Sequence, residues 1–282
     1  MPPQTGPWLL PEATAELVTG TPWLHPDFAD EQGVLRLASH SFAFEADGMR
    51  VLIDTGIGNG KRRANPAWHN LDSDYASRLR ATGFAPESVD LVVLTHLHAD
   101  HVGWNTRAEG DDWVPTFPNA RYVTTRTEWD YWAGVEMEEA RRQMFRDSVH
   151  PVREAGLFDL VDVADGGVDG GTDIAPGIRL LPTPGHTPGQ VAVRLSSRGE
   201  SALITGDSIH HPVQMSHPAL CSCVDIAPDV AARTRHELLG SLAGTPTLLL
   251  GSHFAAPTAG HVRREAGAYR LIPAAPALTP VR

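Results

Sequence analysis

The stretch THLHADH, Thr95 to His101, places His96, His98, Asp100 and His101 within six residues, directly after the apolar run VDLVVL. Three later apolar runs end in the same way, in a turn residue or two and then a group able to bind a metal. IRLLPTPG leads to His186, ALITG to Asp207 and TLLLGS to His253. Imidazole and carboxylate donors together suit zinc or a similar borderline cation. His96 and His98 lie two apart, so an extended backbone points both rings to one side. Asp100 and His101 lie past the strand, where a turn into a helix can swing them toward a neighbouring point. Seven donors exceed one tetrahedral ion but fit two adjacent ions that share one carboxylate. A lone histidine such as His25 or His150 is an ordinary packing residue, because a single match is weak evidence. The ordered set is a much stronger signal.

The elements that must carry these groups alternate between short strands and helices, without a clear linker. In open α/β sheets, functional groups collect beyond the carboxyl ends of strands. SFAFEADGMRVLIDTG predicts a hairpin around the turn ADG. SDYASRLRATGF has helical spacing, opens on a Ser73 cap and meets Gly83 at its end. VDLVVLTH is a continuous apolar run, as expected for a strand buried on both faces. ARYVTT predicts another strand, and RTEWDYWAG and MEEARRQMFRDSV predict helices. In the second half, IRLLPT, VAVRLSS, SALITGD and TLLLGSH predict strands, with a helix over APDVAARTRHELLGSL. The turn-rich DGGVDGGTDIAPG is expected to be a surface connection. No internal repeat of fixed short period is present.

Composition bounds the function. A chain of 282 residues buries a substantial core, and 41% hydrophobic with 20% charged residues suits a soluble globular protein. The formal charge of −11 argues against a phosphate-backbone footprint, because nucleic-acid binders carry a basic excess. The two cysteines, Cys221 and Cys223, are too close in sequence to bridge each other readily, so no disulfide scaffold is expected. Both are expected to be buried small hydrophobes. The N-terminus lacks the basic and long apolar regions of a signal peptide. No run approaches 18 apolar residues, so nothing is expected to span a membrane. The expectation is a cytoplasmic protein acting on a small molecule, with neither nucleic acid nor membrane as partner; a homodimer is left open.

The motifs resemble those of a known family. THLHADH looks like the signature of the metallo-β-lactamase-fold superfamily, and LIDTG, TPGHTPG, LITGD and GSHF resemble its other motifs in order. The resemblance runs from about Ser39 to His253. It implies an α/β fold, an αββα sandwich of the metallo-β-lactamase type, as a single domain over 1–282 with its core about 39–253. Carried over by motif, His96, His98 and His186 would hold one metal. Asp100, His101 and His253 would hold the second, and Asp207 would bridge them. Asp54 of LIDTG would support the ligands from behind. The cofactor implied is a pair of divalent ions, zinc above all. Such a pair makes hydroxide available from water near neutral pH, and that hydroxide would attack the substrate. Asp100 would also collect the proton and return it to the leaving group.

Within the superfamily, the β-lactamases use cysteine or serine where this chain has Asp207, which counts against β-lactam hydrolysis. Zinc nucleases share the bridging aspartate, but the acidic charge and the lack of an evident RNA-binding arm weigh against them. Glyoxalase II-like thioesterases match the ligands, yet their carboxy-terminal helical domain has no obvious counterpart after GSHFAAPTAGHVRREAGAYRL. Persulfide dioxygenases use a single iron. The pattern is nearest to the branch of N-acyl homoserine lactonases and methyl parathion hydrolase, through LTHLHADHVG and GDSIHHPVQ followed by D…TR…LL. Compact lactonases place a tyrosine three residues after the bridging aspartate. Here that position is His210, able to donate a hydrogen bond to a developing oxyanion. The resemblance thus implies hydrolysis of a neutral ester or lactone, with phosphotriesters open. A glyoxalase II-type thioesterase, a β-lactam hydrolase and a mononuclear-iron persulfide dioxygenase are the alternatives. Trp104, Phe117 and Trp132 are expected to supply apolar surface near the cleft. Arg107 and the arginines of EEARRQMFR are the candidates for an anion clamp.

Overall fold

The computed structural model describes residues 1–2 and 5–274 and forms two compact units. One holds Met1–Ala38, Ala164–Thr187 and the chain from Val191 onward; the other holds Ser39–Val163 and Pro188–Gln190. The helices α1 (Thr5–Leu9) and α2 (Ala15–Thr19) open the first unit.

The second unit begins with the hairpin β1 (Phe42–Ala46) and β2 (Met49–Ile53), in the register Ala46 opposite Met49. Its two turn residues, Asp47 and Gly48, have φ of 50° and 81°, the left-handed pair whose twist matches the flanking strands. Helix α3 (Tyr75–Ala81) leads to β3 (Leu91–Val93), a small separate hairpin β4 (Thr106–Glu109) and β5 (Asp112–Pro115), and then β6 (Arg121–Thr125). The helices α4 (Arg126–Gly134), α5 (Glu139–Ser148) and α6 (His150–Glu154) precede β7 (Phe158–Val161). The sheet order is β1-β2-β3-β6-β7, parallel except for the hairpin. All three residues of β3 are buried, as a strand covered on both faces requires. The expected Ser73 cap is not used. Helix α3 starts after Asp74 without a side-chain cap, and Ser73 instead bonds Asn59 through its N–H and hydroxyl, at 3.0 and 2.8 Å. The loop acceptor competes successfully for the group that would otherwise cap the helix.

The first unit carries β8 (Thr172–Ala175), β9 (Ile178–Pro182), β10 (Val191–Ser197) and β11 (Glu200–Ile204). After α7 (Val213–Ser216) and α8 (Pro228–Leu242) come β12 (Leu248–Leu250), β13 (Ala259–Glu265) and β14 (Ala268–Pro273). The seven strands lie in the order β14-β13-β12-β11-β10-β9-β8, and among them only β11 and β12 pair in parallel. A parallel pair needs a crossover, and α8 lies on that connection. Its buried face is Ala231, Arg235, Leu238, Leu239 and Leu242, a helical stripe with one charged member. The turn-rich 165–177 is not all connection, because β8 forms an edge strand there, its Asp173 paired with Arg179 at 2.8 Å. Among the described residues no helix is long and apolar enough to cross a membrane.

Candidate metal centre

In the second unit, the donors follow β3 and are braced from the end of β2. Asp54 sits there with φ 56°, a conformation that aspartate tolerates better than most residues. Its carboxylate accepts the Thr95 N–H at 2.8 Å and the Thr95 hydroxyl at 2.9 Å, and it faces His101 Nδ1 at 2.8 Å. Because the hydroxyl proton goes to Asp54, Thr95 Oγ1 is left to accept from His96 Nδ1 at 3.1 Å. His96 and His101 therefore both present Nε2, with ring centroids 4.0 Å apart. Between His96 and His98, the Leu97 N–H donates to Glu128 Oε1 at 3.0 Å. Glu128 also accepts from Trp132 Nε1 at 2.7 Å, and the Trp132 ring lies 5.7 Å from that of His98. Asp100 Oδ1 lies 3.9 Å from His101 Nε2. Gly103 closes the loop, its N–H donating to the Gly56 carbonyl at 2.7 Å; a Cβ there would sit 1.9 Å from the Ile57 carbonyl carbon.

In the first unit, three imidazoles surround one carboxylate. Asp207 follows β11, and its Oδ2 lies 3.4 Å from His186 Nε2 and 3.2 Å from His210 Nε2. Its Oδ1 lies 3.2 Å from His253 Nε2. All four side chains are buried. The far side of each ring is again engaged, except at His210. His186 Nδ1 donates to Asp225 Oδ1 at 2.9 Å, and His253 Nδ1 to the Ala38 carbonyl at 2.8 Å. Burial pushes Asp225 up, but the His186 hydrogen bond, the neighbouring His210 and His186 imidazoles and the Ser222 N–H outweigh it and hold the carboxyl below its usual range. Behind it, the fully buried Arg235 donates to the carbonyls of Ser208, Pro218 and Leu220 at 2.7–2.8 Å, with Nη2 3.9 Å from Asp225. Burial lowers the pKa of His210 despite the opposing pull of Asp207. His211 is the packing histidine of the pair: it bonds Phe28 O and the Val213 N–H, and burial pushes its pKa down to about 4.

Each unit thus gathers its own share of the expected donors. The fit to a borderline cation lies in the tautomers. His96, His101, His186 and His253 each have Nδ1 bound to an acceptor, which leaves the Nε2 lone pair for a metal. Asp225, Glu128 and the Ala38 carbonyl escaped the sequence reading, since nothing marks a carboxylate or a carbonyl as buried behind a candidate donor, and Arg235 was given no role there. Of the three aromatics, Phe117 is core and Trp132 backs His98. Trp104 stacks on Tyr75 at 5.3 Å, and both line a cavity of about 390 Å³ with His40, Gly56, Ile57 and Leu71. The cysteines are not core residues: Cys221 is half-buried and Cys223 exposed, on a loop whose backbone bonds Leu9.

Comparison with known proteins places this arrangement. A sequence profile of the Metallo-beta-lactamase superfamily matches residues 34–248, which takes in every candidate donor except His253. An N-acyl homoserine lactonase of Bacillus thuringiensis is 25% identical over 131 residues, 46% of this chain and 42% of that protein. The chain thus spans about two fifths of the length of the curated relatives it matches. Among solved structures, the hydrolase AbOPH of the beta lactamase superfamily has a TM-score of 0.73 at 26% identity, covering 92% of this chain and 85% of its own. AidC, a dizinc quorum-quenching lactonase solved with a product, has a TM-score of 0.77 at 21% identity, covering 95% and 89%. The α/β sandwich expected from the motifs is the fold these structures share. With His-x-His-x-Asp-His inside the matched span and the same fold over nine tenths of its length, this chain belongs to the metallo-beta-lactamase superfamily.

Proposed function

We propose that the chain is a dinuclear metallohydrolase that cleaves a neutral ester or lactone, with related phosphotriesters as secondary substrates. The proposal takes the two units as halves of one domain, 1–282, because the family profile runs through both. His96, His98 and His186 would then hold one ion and Asp100, His101 and His253 the other, with Asp207 shared. Zinc suits the donor set. The observation that carries the reading is the common tautomer: four histidines, each braced at Nδ1, offer Nε2.

When bound, two such ions supply hydroxide near neutral pH and draw charge from the substrate oxygen. The residues of the chain do the remainder. Asp100, half-buried at the edge of its loop, takes the proton from the nucleophile and returns it to the leaving group. His210 is kept uncharged by burial and still carries one N–H, which it donates to the developing oxyanion. Asp54 and Asp225 keep His101 and His186 oriented through turnover. A neutral substrate is favoured because the candidate arginines are engaged elsewhere. Arg107 pairs with Glu109, Arg142 and Arg146 pair with Glu139, and Arg141 lies over the Trp132 ring. The lactonases among the relatives and neighbours point to the same class. We place the reaction in the cytoplasm, on a small molecule.

The test is a hydrolase screen of the zinc-loaded protein against lactones, aryl esters, thioesters, phosphotriesters and β-lactams. The expected result is preference for oxygen esters or lactones, with two ions per chain. A strong preference for glutathione thioesters or β-lactams removes the substrate assignment, and one iron per chain without hydrolysis removes the reaction. At saturating zinc, His210→Ala should lower turnover while two ions remain bound; unchanged kinetics on every ester and lactone would take His210 out of the mechanism.

A further inference from the structure

The seven expected donors do not include His210, yet the structure treats it as one. Its Nε2 is 3.2 Å from Asp207 Oδ2, and His186 Nε2 is 3.4 Å from the same oxygen. The three ligand atoms lie within 4.8 Å of one another, and all three side chains are buried. Donors about 2.1 Å from a tetrahedral zinc stand about 3.4 Å apart, so these separations need little adjustment to enclose an ion. A second observation is independent of the cluster. The His210 side chain is 1% exposed, and among the described residues neither ring nitrogen has a hydrogen-bond partner; the approach to Asp207 is off the line of a hydrogen bond. A buried imidazole without a hydrogen bond is costly, and a metal ion is one of the few partners that would satisfy it. The backbone around it is fixed for another reason: Gln214 Oε1 accepts the N–H of both His210 and His211, at 2.8 and 3.3 Å.

We propose that His186, Asp207 and His210 form a one-ion site within the first unit, able to hold a borderline divalent cation such as Zn²⁺ without the His96 and His98 pair. In the singly loaded protein His210 is a ligand; with both ions in place and substrate bound, its N–H serves the substrate oxygen. The proposal goes beyond the hydrolase reading and does not depend on it, because it concerns binding of the metal alone.

The experiment is zinc competition against a chromophoric chelator, on the full-length chain with both imidazoles of the His-x-His pair removed, His96→Ala/His98→Ala. This variant should still bind one zinc per chain, and adding His210→Ala should weaken that binding by more than about tenfold, beyond the lower bound for losing a mere supporting partner. Nitrogen NMR of the histidine rings, assigned by the signal missing in His210→Ala, should show a His210 ring nitrogen shifting as zinc is added. Thermal melting of the metal-free proteins checks folding. If the alanine pair does not fold, His96→Gln/His98→Gln keeps the side-chain volume and carries the same test. Equal zinc affinity with and without His210, or no zinc bound once the His-x-His pair is gone, would overturn the proposal. Neither result depends on whether any ester is cleaved.

Discussion

Asp225 is a residue whose loss should be felt in two separate measurements. Its Oδ1 accepts from His186 Nδ1 at 2.9 Å, its Oδ2 accepts the Ser222 N–H at 2.8 Å, and Arg235 lies 3.9 Å away, all buried. Asp225→Asn keeps one acceptor but turns the other oxygen into a donor or presents a donor to His186, and it leaves Arg235 without its counter-charge. Breaking a buried pair costs about 3–5 kcal/mol. Arg235 keeps three carbonyl acceptors and is not itself hydrogen-bonded to Asp225, so about 3 kcal/mol, the low end, is expected. Asp225→Ala strands the His186 and Ser222 N–H groups as well, for roughly 1–3 kcal/mol more. Loss of the brace should also weaken zinc binding by about 10–100-fold, because His186 is then free to turn away. Urea unfolding of the metal-free protein reads the first effect, and chelator competition reads the second. If Asp225→Ala unfolds within about 1 kcal/mol of wild type and binds zinc equally well, the idea that this carboxylate orients His186 is wrong.

Three further outcomes are expected. Asp207→Ala should lose at least one ion, measured as zinc per chain after dialysis; two full-occupancy ions would count against a shared carboxylate. Gly103→Ala should cost at least about 3 kcal/mol in urea unfolding, because its Cβ would overlap the Ile57 carbonyl rather than a side chain that can move. Lys61 is fully buried beside Asp147, its ammonium bonded to Thr106 Oγ1 and the Asp147 carbonyl at 2.5 and 2.7 Å, and burial pushes its pKa down to about 7 despite the pull of Asp147. Between about pH 7 and 10.5 the unfolded chain therefore holds a proton that the folded one has released, so stability should rise with pH, by at most about 1.4 kcal/mol per unit. That contribution is complete above about pH 10.5 and lost as pH falls through 7. Lys61→Met should remove this slope from the urea midpoints, and parallel profiles for the two proteins would refute it.

The candidate donors stood out because a metal demands particular residue types, and strand ends are where an α/β sheet can bring them together. The hairpin was legible for a similar reason, since Asp47-Gly48 has one favoured geometry between two apolar runs. Asp225 and Glu128, which lie behind the candidate donors, and the buried Lys61 were not, because such residue types usually belong to an ordinary surface. Arg235 did leave a trace. It falls on the apolar stripe of α8, between Ala231 and Leu238, where a charged residue needs a buried partner. The helix cap at Ser73 failed as an expectation because the competing acceptor, Asn59, is fourteen residues away. The strand in 172–175 failed because glycines and aspartates suggest turns until a neighbouring edge supplies the pairing.

The attachment of His253 to Ala38 has a consequence for where the functional protein begins. The Ala38 N–H donates to the His253 carbonyl at 3.0 Å while the Ala38 carbonyl takes the ring proton, and upstream Phe28 holds His211 through its carbonyl. Leu9 does the same for the loop at Cys223, two residues before Asp225. The family profile begins at residue 34, so most of these anchors lie outside the region that defines membership. A chain that began at residue 34 would retain every candidate donor and still lose the ties at His211 and the Asp225 loop. The segment ahead of residue 34 supplies no candidate donor of its own; its part is to tie down the loops that stand behind them.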